Sequence, residues 1–546
     1  MVAVVPDGKG GARLREITDQ GRPAGPERVC ADLAAQVRAR GDTVRWLWPA
    51  TAEAYPALLR TGVWVDRCHD LELTEALLLG SAGRWGEPRA LPAAWARLVG
   101  APVPADPPAR AATPPGDGQG ALFDAPPAPP APAGMDPLTA LIDVYVDQRA
   151  RIEQTPQPGR FRLLAAAESA SALVAAEMGG YGLPWRADVH DRLLVELLGP
   201  PSPVGGPPRR LVELASRIAE AFGMDRLRLD SPAEVVRAFS RVGITIPNTR
   251  AWVLRGVDHP AVPLLLEYKE LYRVWTAHGW AWRDAWVHDG RFRAEYIPGG
   301  VVSGRWATRG GGALQIPKVI RRAAIADPGW TFVVADAGQL EPRVLAAVSG
   351  DDRLAAAAAE GDLYSALAAE AFGGDRAKAK LALLGAMYGQ TGGAAIPALA
   401  ALRQFYPTAW EHVEQAARTG ESGGLVRSWL GRTCPPPSVS WWAHDGEAAA
   451  ARARGRFTRN FVIQATAAEW ANTLLATLRT ALHGTGAELV FFQHDEVLVH
   501  CEAAQAERVA GAVRAAGERA RRLLFGGTPV RFPLDVSVVE CYADAA

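Results

Sequence analysis

Residues 331–343 read Thr331-Phe-Val-Val-Ala-Asp336-Ala-Gly-Gln339-Leu-Glu341-Pro-Arg343. An apolar run of this length, closed by polar and turn-forming residues, predicts a buried strand over Thr331–Ala335 that delivers Asp336 at its end. One aspartate in that position is ordinarily a cap or a solvated loop residue. A second acidic site lies far downstream, in Phe491-Phe-Gln-His494-Asp495-Glu496-Val-Leu-Val. Apolar runs on both sides of a tight polar turn predict a hairpin over Leu489–Cys501, whose tip can set Asp495 beside Asp336 on one sheet. Two carboxylates converging in this way suit a pair of hard divalent ions about 3.5 to 4 Å apart. Between them stands Arg376-Ala-Lys-Ala-Lys380-Leu-Ala-Leu-Leu384-Gly385-Ala-Met-Tyr388-Gly389. Arg376 and Lys380 fall on one face near a predicted helix N-terminus, where the macrodipole also favours anions. An isolated pair of such charges is ordinary on an exposed helix, so the pair gains meaning only from its company.

Taken together, the three segments resemble the signature motifs of the family A DNA polymerases. The strand segment matches a pattern DYSQIELR, the helix matches RxxxKxxxFGxxYG, and His494-Asp495-Glu496 matches the HDE of the third motif. Ser303-Gly304-Arg305, Ile316-Pro317, Arg456, Asn460, Gln464 and Glu469 fill the intervals in the family's order, so the resemblance covers about residues 160–546. It implies an α/β (α+β) right-hand fold of palm, fingers and thumb, adding deoxynucleotides to a primer. Asp336, Asp495 and Lys380 are then the expected catalytic residues, with Asp336, Asp495 and Glu496 holding two Mg²⁺ ions, Mn²⁺ being an alternative. Arg376, Lys380, Leu384, Tyr388, Glu341 and Gln339 would contact the incoming dNTP, and Glu341 matches the residue that blocks a ribose 2′-hydroxyl. Arg305, Arg343, Arg456, Asn460, Gln464 and His494 would follow primer-template DNA. Leu384 departs from the family's usual aromatic, as do Ala337 and Gly338 from Tyr-Ser and Pro342 from an aliphatic. The short interval between Asp336 and Arg376 implies reduced fingers and a pocket that tolerates damaged or mismatched templates.

Working outward, the chain has 546 residues, enough for about three folding units. With 49% hydrophobic and 22% charged residues it is neither disordered nor collagen-like, and it holds no apolar run long enough to span a bilayer. Its 59 basic residues balance its 59 acidic ones, which excludes nucleic-acid binding through a broad basic surface but not through cations placed at chosen points. The start, Met1-Val-Ala-Val-Val-Pro-Asp, lacks the basic and apolar regions of a signal peptide, so a cytoplasmic location is expected. Cys30, Cys68, Cys434, Cys501 and Cys541 show no metal or disulfide spacing and read as isolated thiols. A monomer without membrane contact is expected.

Ala101–Pro137 holds twelve prolines and reads as a flexible linker. The predicted units are 1–100, a small α/β module; 101–137, the linker; and 138–546, the polymerase, with thumb about 160–290, palm about 291–350 and 425–546, and fingers about 351–424. By the same resemblance, 1–100 stands where relatives carry a 3′-to-5′ exonuclease. No DxE opens the chain, Ala54 or Tyr55 stands near the second site, Asp143 is the one plausible survivor of the last motif, and the DxE of Asp70 and Glu72 falls on a helix-like stretch. A degenerate, structural domain without proofreading is expected, and so is a chain without a 5′ nuclease domain. Within the linker, Gln119-Gly-Ala-Leu122-Phe123 is similar to a sliding-clamp peptide, a mode suited to extended segments; its alternative is docking on the protein's own surface. A repair or gap-filling polymerase is the leading expectation. A single-subunit ribonucleotide polymerase and a non-catalytic clamp-recruited scaffold are the alternatives; Glu341 speaks against the first and the retained Asp336 and Asp495 against the second.

Overall fold

The computed structural model describes residues 1–108, 130–203, 205–359, 361–389, 395–438, 441 and 448–545. Gln119, Leu122 and Phe123 lie outside the described residues.

The chain opens with β1 (Val2–Pro6), β2 (Ala12–Glu16), β3 (Arg28–Cys30), α1 (Leu33–Arg40), β4 (Arg45–Trp48), α2 (Thr51–Arg60), β5 (Arg67–Asp70), α3 (Leu71–Ser81) and α4 (Leu91–Val99). The five strands form one sheet in the order β3-β2-β1-β4-β5. β1, β4 and β5 run parallel, which requires a crossover between neighbours; α2 supplies the one from β4 to β5. Period-two alternation divides the side chains between two cores. Val2, Val4, Trp46 and Trp48 face Tyr55 and Leu58 of α2, whereas Ala3 and Leu47 face Leu71, Leu91, Leu138 and Leu141.

The last two of these residues correct the expected domain boundary. They belong to α5 (Pro137–Glu153), which returns after the proline-rich segment to complete the first core instead of opening the polymerase unit. Asp136 caps α5 by accepting from the Thr139 amide and is itself gripped by Arg13 of β2 at 2.6 Å. A second buried bond set repeats the attachment: Glu75 of α3 pairs with Arg97 of α4 at 3.1 Å and with Arg151 of α5 at 3.0 Å. Asp143 is an exposed residue of α5.

α6 (Pro158–Tyr181) joins the two halves. Its Ala- and Ser-rich sequence is apolar or small nearly all round, and it is buried nearly all round. Glu177 of α6 receives the Tyr55 hydroxyl at 2.6 Å from the N-terminal side and Arg479 from the polymerase side at 2.7 Å. The short strand β6 (Leu183–Pro184) follows, then six helices: α7 (Ala187–Leu198), α8 (Arg209–Ala221), α9 (Pro232–Arg241), α10 (Ala251–Leu254), α11 (Ala261–His278) and α12 (Trp280–Trp286). Phe222, Phe239, Leu254, Val262 and Leu265 give the outer four a core of their own. β7 (Val287–His288), β8 (Arg291–Phe292), β9 (Glu295–Ile297) and β10 (Ala307–Arg309) make small pairings before the main sheet.

The main sheet takes β11 (Trp330–Ala337) as its inner strand. α13 (Leu340–Val348), α14 (Asp352–Ala357), α15 (Leu363–Ala371), α16 (Arg376–Tyr388), α17 (Ala395–Phe405), α18 (Pro407–Glu421) and α19 (Ala448–Leu482) intervene. The sheet is then completed by β12 (Glu488–Gln493) and β13 (Glu496–Glu502) and, beyond α20 (Ala506–Phe525), by β14 (Leu534–Val539). The order is β12-β13-β11-β14, with every pairing antiparallel. β11 is buried on both faces from Thr331 to Ala335, as its unbroken apolar run requires, and emerges into solvent at Asp336. The predicted strand, hairpin and helix all appear. The five cysteines are unpaired thiols. Among the described residues no helix is long and apolar enough to cross a membrane.

Candidate active site

Sheet register places the acidic groups. Asp336 pairs with Glu496 on one side and with Asp535 on the other, so three carboxylates stand in a row across β13, β11 and β14. The β12–β13 connection has only two residues, His494 and Asp495, between the paired Gln493 and Glu496. His494 takes φ +60°, the positive value that the first position of a type II′ hairpin loop requires. The Ala337 amide donates to the Asp495 carbonyl at 3.2 Å, which fixes the hairpin tip against the strand end. Gln339 also has φ +60°; of the three non-glycine residues with positive φ among the described residues, these two flank the site.

A cavity of about 340 Å³ opens there, lined by Asp336 and Asp495 on one wall, Arg305 and Glu341 beside them, and Leu384 and Tyr388 opposite. Glu341 accepts the Tyr388 hydroxyl at 2.6 Å and is paired with Arg305, which ties α13, α16 and the loop after β9 together across the opening. Burial first, then the neighbouring charge of Asp336, pushes Asp495 up to about 7. Desolvation, then Glu496 and Asp535, raises Asp336 as well. Arg305 offsets the rise at Asp495 only in part, being itself paired with Glu341, so the acidic wall is under-compensated.

Arg376, Lys380, Leu384 and Tyr388 are spaced by four along α16 and form a slowly winding stripe. Leu384 and Tyr388 reach the cavity, while Lys380 and Arg376 sit about 6 and 12 Å farther along the helix. Lys380 is exposed and forms no ion pair with a described residue. Arg376 is drawn aside: its Nε donates to Asp362 at 2.8 Å, and its guanidinium lies 5.5 Å from the Tyr364 ring centroid. Asp362 caps α15. Burial alone would raise it, but hydrogen bonds from Arg376, Gln339 and Ser365 hold it well below the usual carboxylate range. Gln339 lines the cavity with its amide engaged: Nε2 donates to Asp362 at 2.7 Å and Oε1 accepts the Leu363 amide at 3.0 Å.

α19 supplies a second stripe. Arg456, Asn460 and Gln464 lead along it to Ala467 and Ala468, which line the cavity. The Arg456 stem crosses Gly389, where a Cβ would lie 2.8 Å from Arg456 Cγ, so glycine at this positive φ also makes room for the arginine. Asn460 Oδ1 is buried without a hydrogen-bond partner. His494 is exposed at the hairpin tip, on the cavity rim.

Two expectations are corrected. Arg343 does not face a duplex: it is fully buried and donates to the carbonyls of Gly338 at 3.2 Å, Ala358 at 2.8 Å, Arg531 at 2.9 Å and Gly361 at 2.5 Å. It lies on the inward face of α13 and ties together the turn before that helix, the α14–α15 connection and the segment before β14. Glu496, expected among the metal ligands, does not line the cavity; its carboxylate accepts the Tyr542 hydroxyl and pairs with Arg321 at 3.5 Å. Asp535 escaped the sequence reading, since only the register of β14 brings it beside Asp336. Among the described residues no three His, Cys, Asp or Glu side chains form a ready metal cage. Two hard carboxylates without a cage suit ions that take their remaining ligands from water and substrate phosphates, as Mg²⁺ does.

Comparison with known proteins agrees with this fold. The family model described as DNA polymerase family A matches residues 208–541. The thermostable DNA polymerase I of Thermus thermophilus is 29% identical over 321 residues, 53% of this chain and 37% of that protein. DNA polymerase I of Deinococcus radiodurans is 26% identical over 348 residues, 55% of this chain and 35% of that protein. The match thus spans little more than a third of these relatives' length. Among solved structures, the POL domain of Pol1 from M. smegmatis in complex with DNA primer-template and dNTP shares the fold: TM-score 0.70 at 17% identity, over 100% of this chain and 95% of that one. With the family model matching well over half of its length, the chain belongs to DNA polymerase family A.

Proposed function

We propose that this chain is a template-directed DNA polymerase that adds dNTPs to a primer 3′ end. The observation that carries the reading is the meeting of Asp336 and Asp495 with Leu384 and Tyr388 around one cavity, at the end of the α19 stripe. Two Mg²⁺ ions, or Mn²⁺ in their place, would be held by Asp336 and Asp495 and would supply charge neutralisation for phosphoryl transfer. Lys380 would meet the triphosphate and donate a proton to the leaving pyrophosphate; Arg376 would join it on release from Asp362. Tyr388 and Leu384 would pack on the nascent pair. Glu341, held by Tyr388 and Arg305, would stand against a ribose 2′-hydroxyl and so favour deoxynucleotides. Arg456, Asn460, Gln464, Arg305 and His494 would follow the duplex, whose minor-groove acceptors are nearly independent of sequence.

The role proposed is repair or gap filling by a monomer in the cytoplasm, with reduced fingers and without proofreading. Supporting the last point, Tyr55 is bonded to Glu177 in a buried joint, and Asp70 is a buried helix cap. Recruitment by a sliding clamp through Gln119, Leu122 and Phe123 belongs to the same proposal. Primer extension with Mg²⁺ tests it: dNTPs are incorporated, rNTPs are not, and Asp495→Ala abolishes the reaction. Equal incorporation by Asp495→Ala would refute the site. Raised steady-state misincorporation is expected, and ordinary high fidelity would remove the reduced-fingers argument.

A further inference from the structure

Across α19 from the active cavity lies a second cavity of about 230 Å³. Ala468 lines the first and Thr466 the second; two residues turn a helix by about 200°, so the cavities occupy opposite sides of one helix. α13 spans both as well, with Glu341 at the first and Val348 at the second, about 10 Å along the axis.

The second cavity is cationic. Arg160, at the start of α6, lies with its guanidinium carbon 3.3 Å from the Trp429 ring centroid. Arg427 reaches it from the loop after α18, with Nη2 donating to the Ser81 carbonyl at 3.3 Å. His412 of α18 contributes a ring whose Nε2 is buried without a hydrogen-bond partner. No aspartate or glutamate is among the lining residues, and neither arginine is ion-paired with a described carboxylate. Glu469, whose charge reaches Arg160, is turned instead into the adjoining loop, where it accepts the Ser428 hydroxyl and, at 3.0 Å, the Leu430 amide. Burial lowers both Arg160 and His412, with the Glu469 charge offsetting part of the effect on Arg160.

We infer that this cavity binds a small phosphoryl anion. The volume falls below the roughly 300–1,000 Å³ of drug-sized sites, which excludes a whole nucleoside triphosphate. The donors come from three separate elements, α6, α18 and the loop between α18 and α19, and so approach from three directions. A tetrahedral phosphoryl group presents oxygens to all three, and a planar guanidinium matches two of them at once. A carboxylate offers two oxygens in one plane. Inorganic phosphate, pyrophosphate and a 2′-deoxynucleoside monophosphate share this chemistry. Occupancy would draw α6, α18 and α19 together behind the active cavity, and the proposal holds whether or not the chain polymerises.

The test is calorimetric titration of the full chain with each of the three anions in metal-free buffer. Binding of at least one is expected, weakened about tenfold or more in Arg160→Gln and Arg427→Gln and unchanged within about twofold in Lys380→Gln. The tightest of the three identifies the source. Arg427 is exposed and its change leaves the fold in place, so Arg427→Gln decides if loss of the Trp429 stack unfolds Arg160→Gln. Loss in Lys380→Gln with full binding in Arg427→Gln would assign the anion to the catalytic cavity and overturn the proposal. So would the absence of binding by all three anions.

Discussion

Two sheets in this molecule each bring an aspartate to a strand end, and they treat it in opposite ways. Asp70, at the end of β5, is 2% exposed, with one carboxylate oxygen accepting the Thr51 amide at 2.7 Å and the other the Leu73 amide at 2.8 Å. Asp336, near the end of β11, is exposed, accepts no hydrogen bond from a described residue, and faces Glu496 and Asp535 across its neighbours. The first carboxylate completes a helix start and holds two elements together. The second is left with like charges and can be relieved only by something cationic from outside. An acidic residue after a strand is thus no mark of chemistry in itself; what distinguishes the two is whether the protein has supplied donors.

Substitutions sharpen that contrast, and the largest effect belongs to the unsatisfied site. Asp336→Ala is expected to lower primer extension by about a thousandfold or more while leaving the melting temperature unchanged or raised. A parallel fall in rate and stability would place Asp336 with Asp70 among structural caps. Next is Arg343→Met, which removes a buried guanidinium's bonds to four carbonyls and should cost about 3 kcal/mol or more in denaturant unfolding. DNA affinity of the folded fraction should hold within about twofold, and a selective loss of affinity would restore Arg343 to the duplex.

Asp495→Asn gives a smaller, pH-dependent change. Asp495 is raised from 3.8 to about 7, so in acid both folded and unfolded chains hold the proton and nothing is lost. As pH rises through that interval the unfolded chain releases a proton the folded one keeps, and folded stability declines until both are ionised. The variant escapes this decline. In metal-free buffer it should gain up to about 3 kcal/mol over the native chain at pH 8 and nothing near pH 4. Mg²⁺ should raise the melting temperature of the native chain and not of the variant; equal melting curves at both pH values would contradict the strained acidic wall. Smallest is Asp70→Ala, which should cost about 2 kcal/mol without altering extension or creating a change in 3′-end trimming. Trimming activity lost in this variant would erase the contrast between the two sheets.

The parts of the site that were legible in the sequence are those whose meaning is local. An apolar run closed by Asp336, a two-residue turn holding His494 and Asp495, and a four-residue spacing from Arg376 to Tyr388 each state their own geometry. What stayed hidden depends on partners distant in sequence. Asp535 acquires significance only from the register of β14 on β11. Glu496 is withdrawn by Tyr542 and Arg321, neither of which adjoins it in sequence. Arg343 looked like a surface cation because its motif is polar, yet helix α13 turns it inward toward carbonyls from three other segments. The return of α5 to the first sheet was masked by the proline-rich stretch before it, whose composition resembles a boundary more than an excursion.

That return alters what the proline-rich stretch can do. α4 and α5 share one core, so the chain between them leaves a single body and comes back to it. A protease cutting within it would yield two fragments that remain associated through Leu91, Ala94, Leu138 and Leu141.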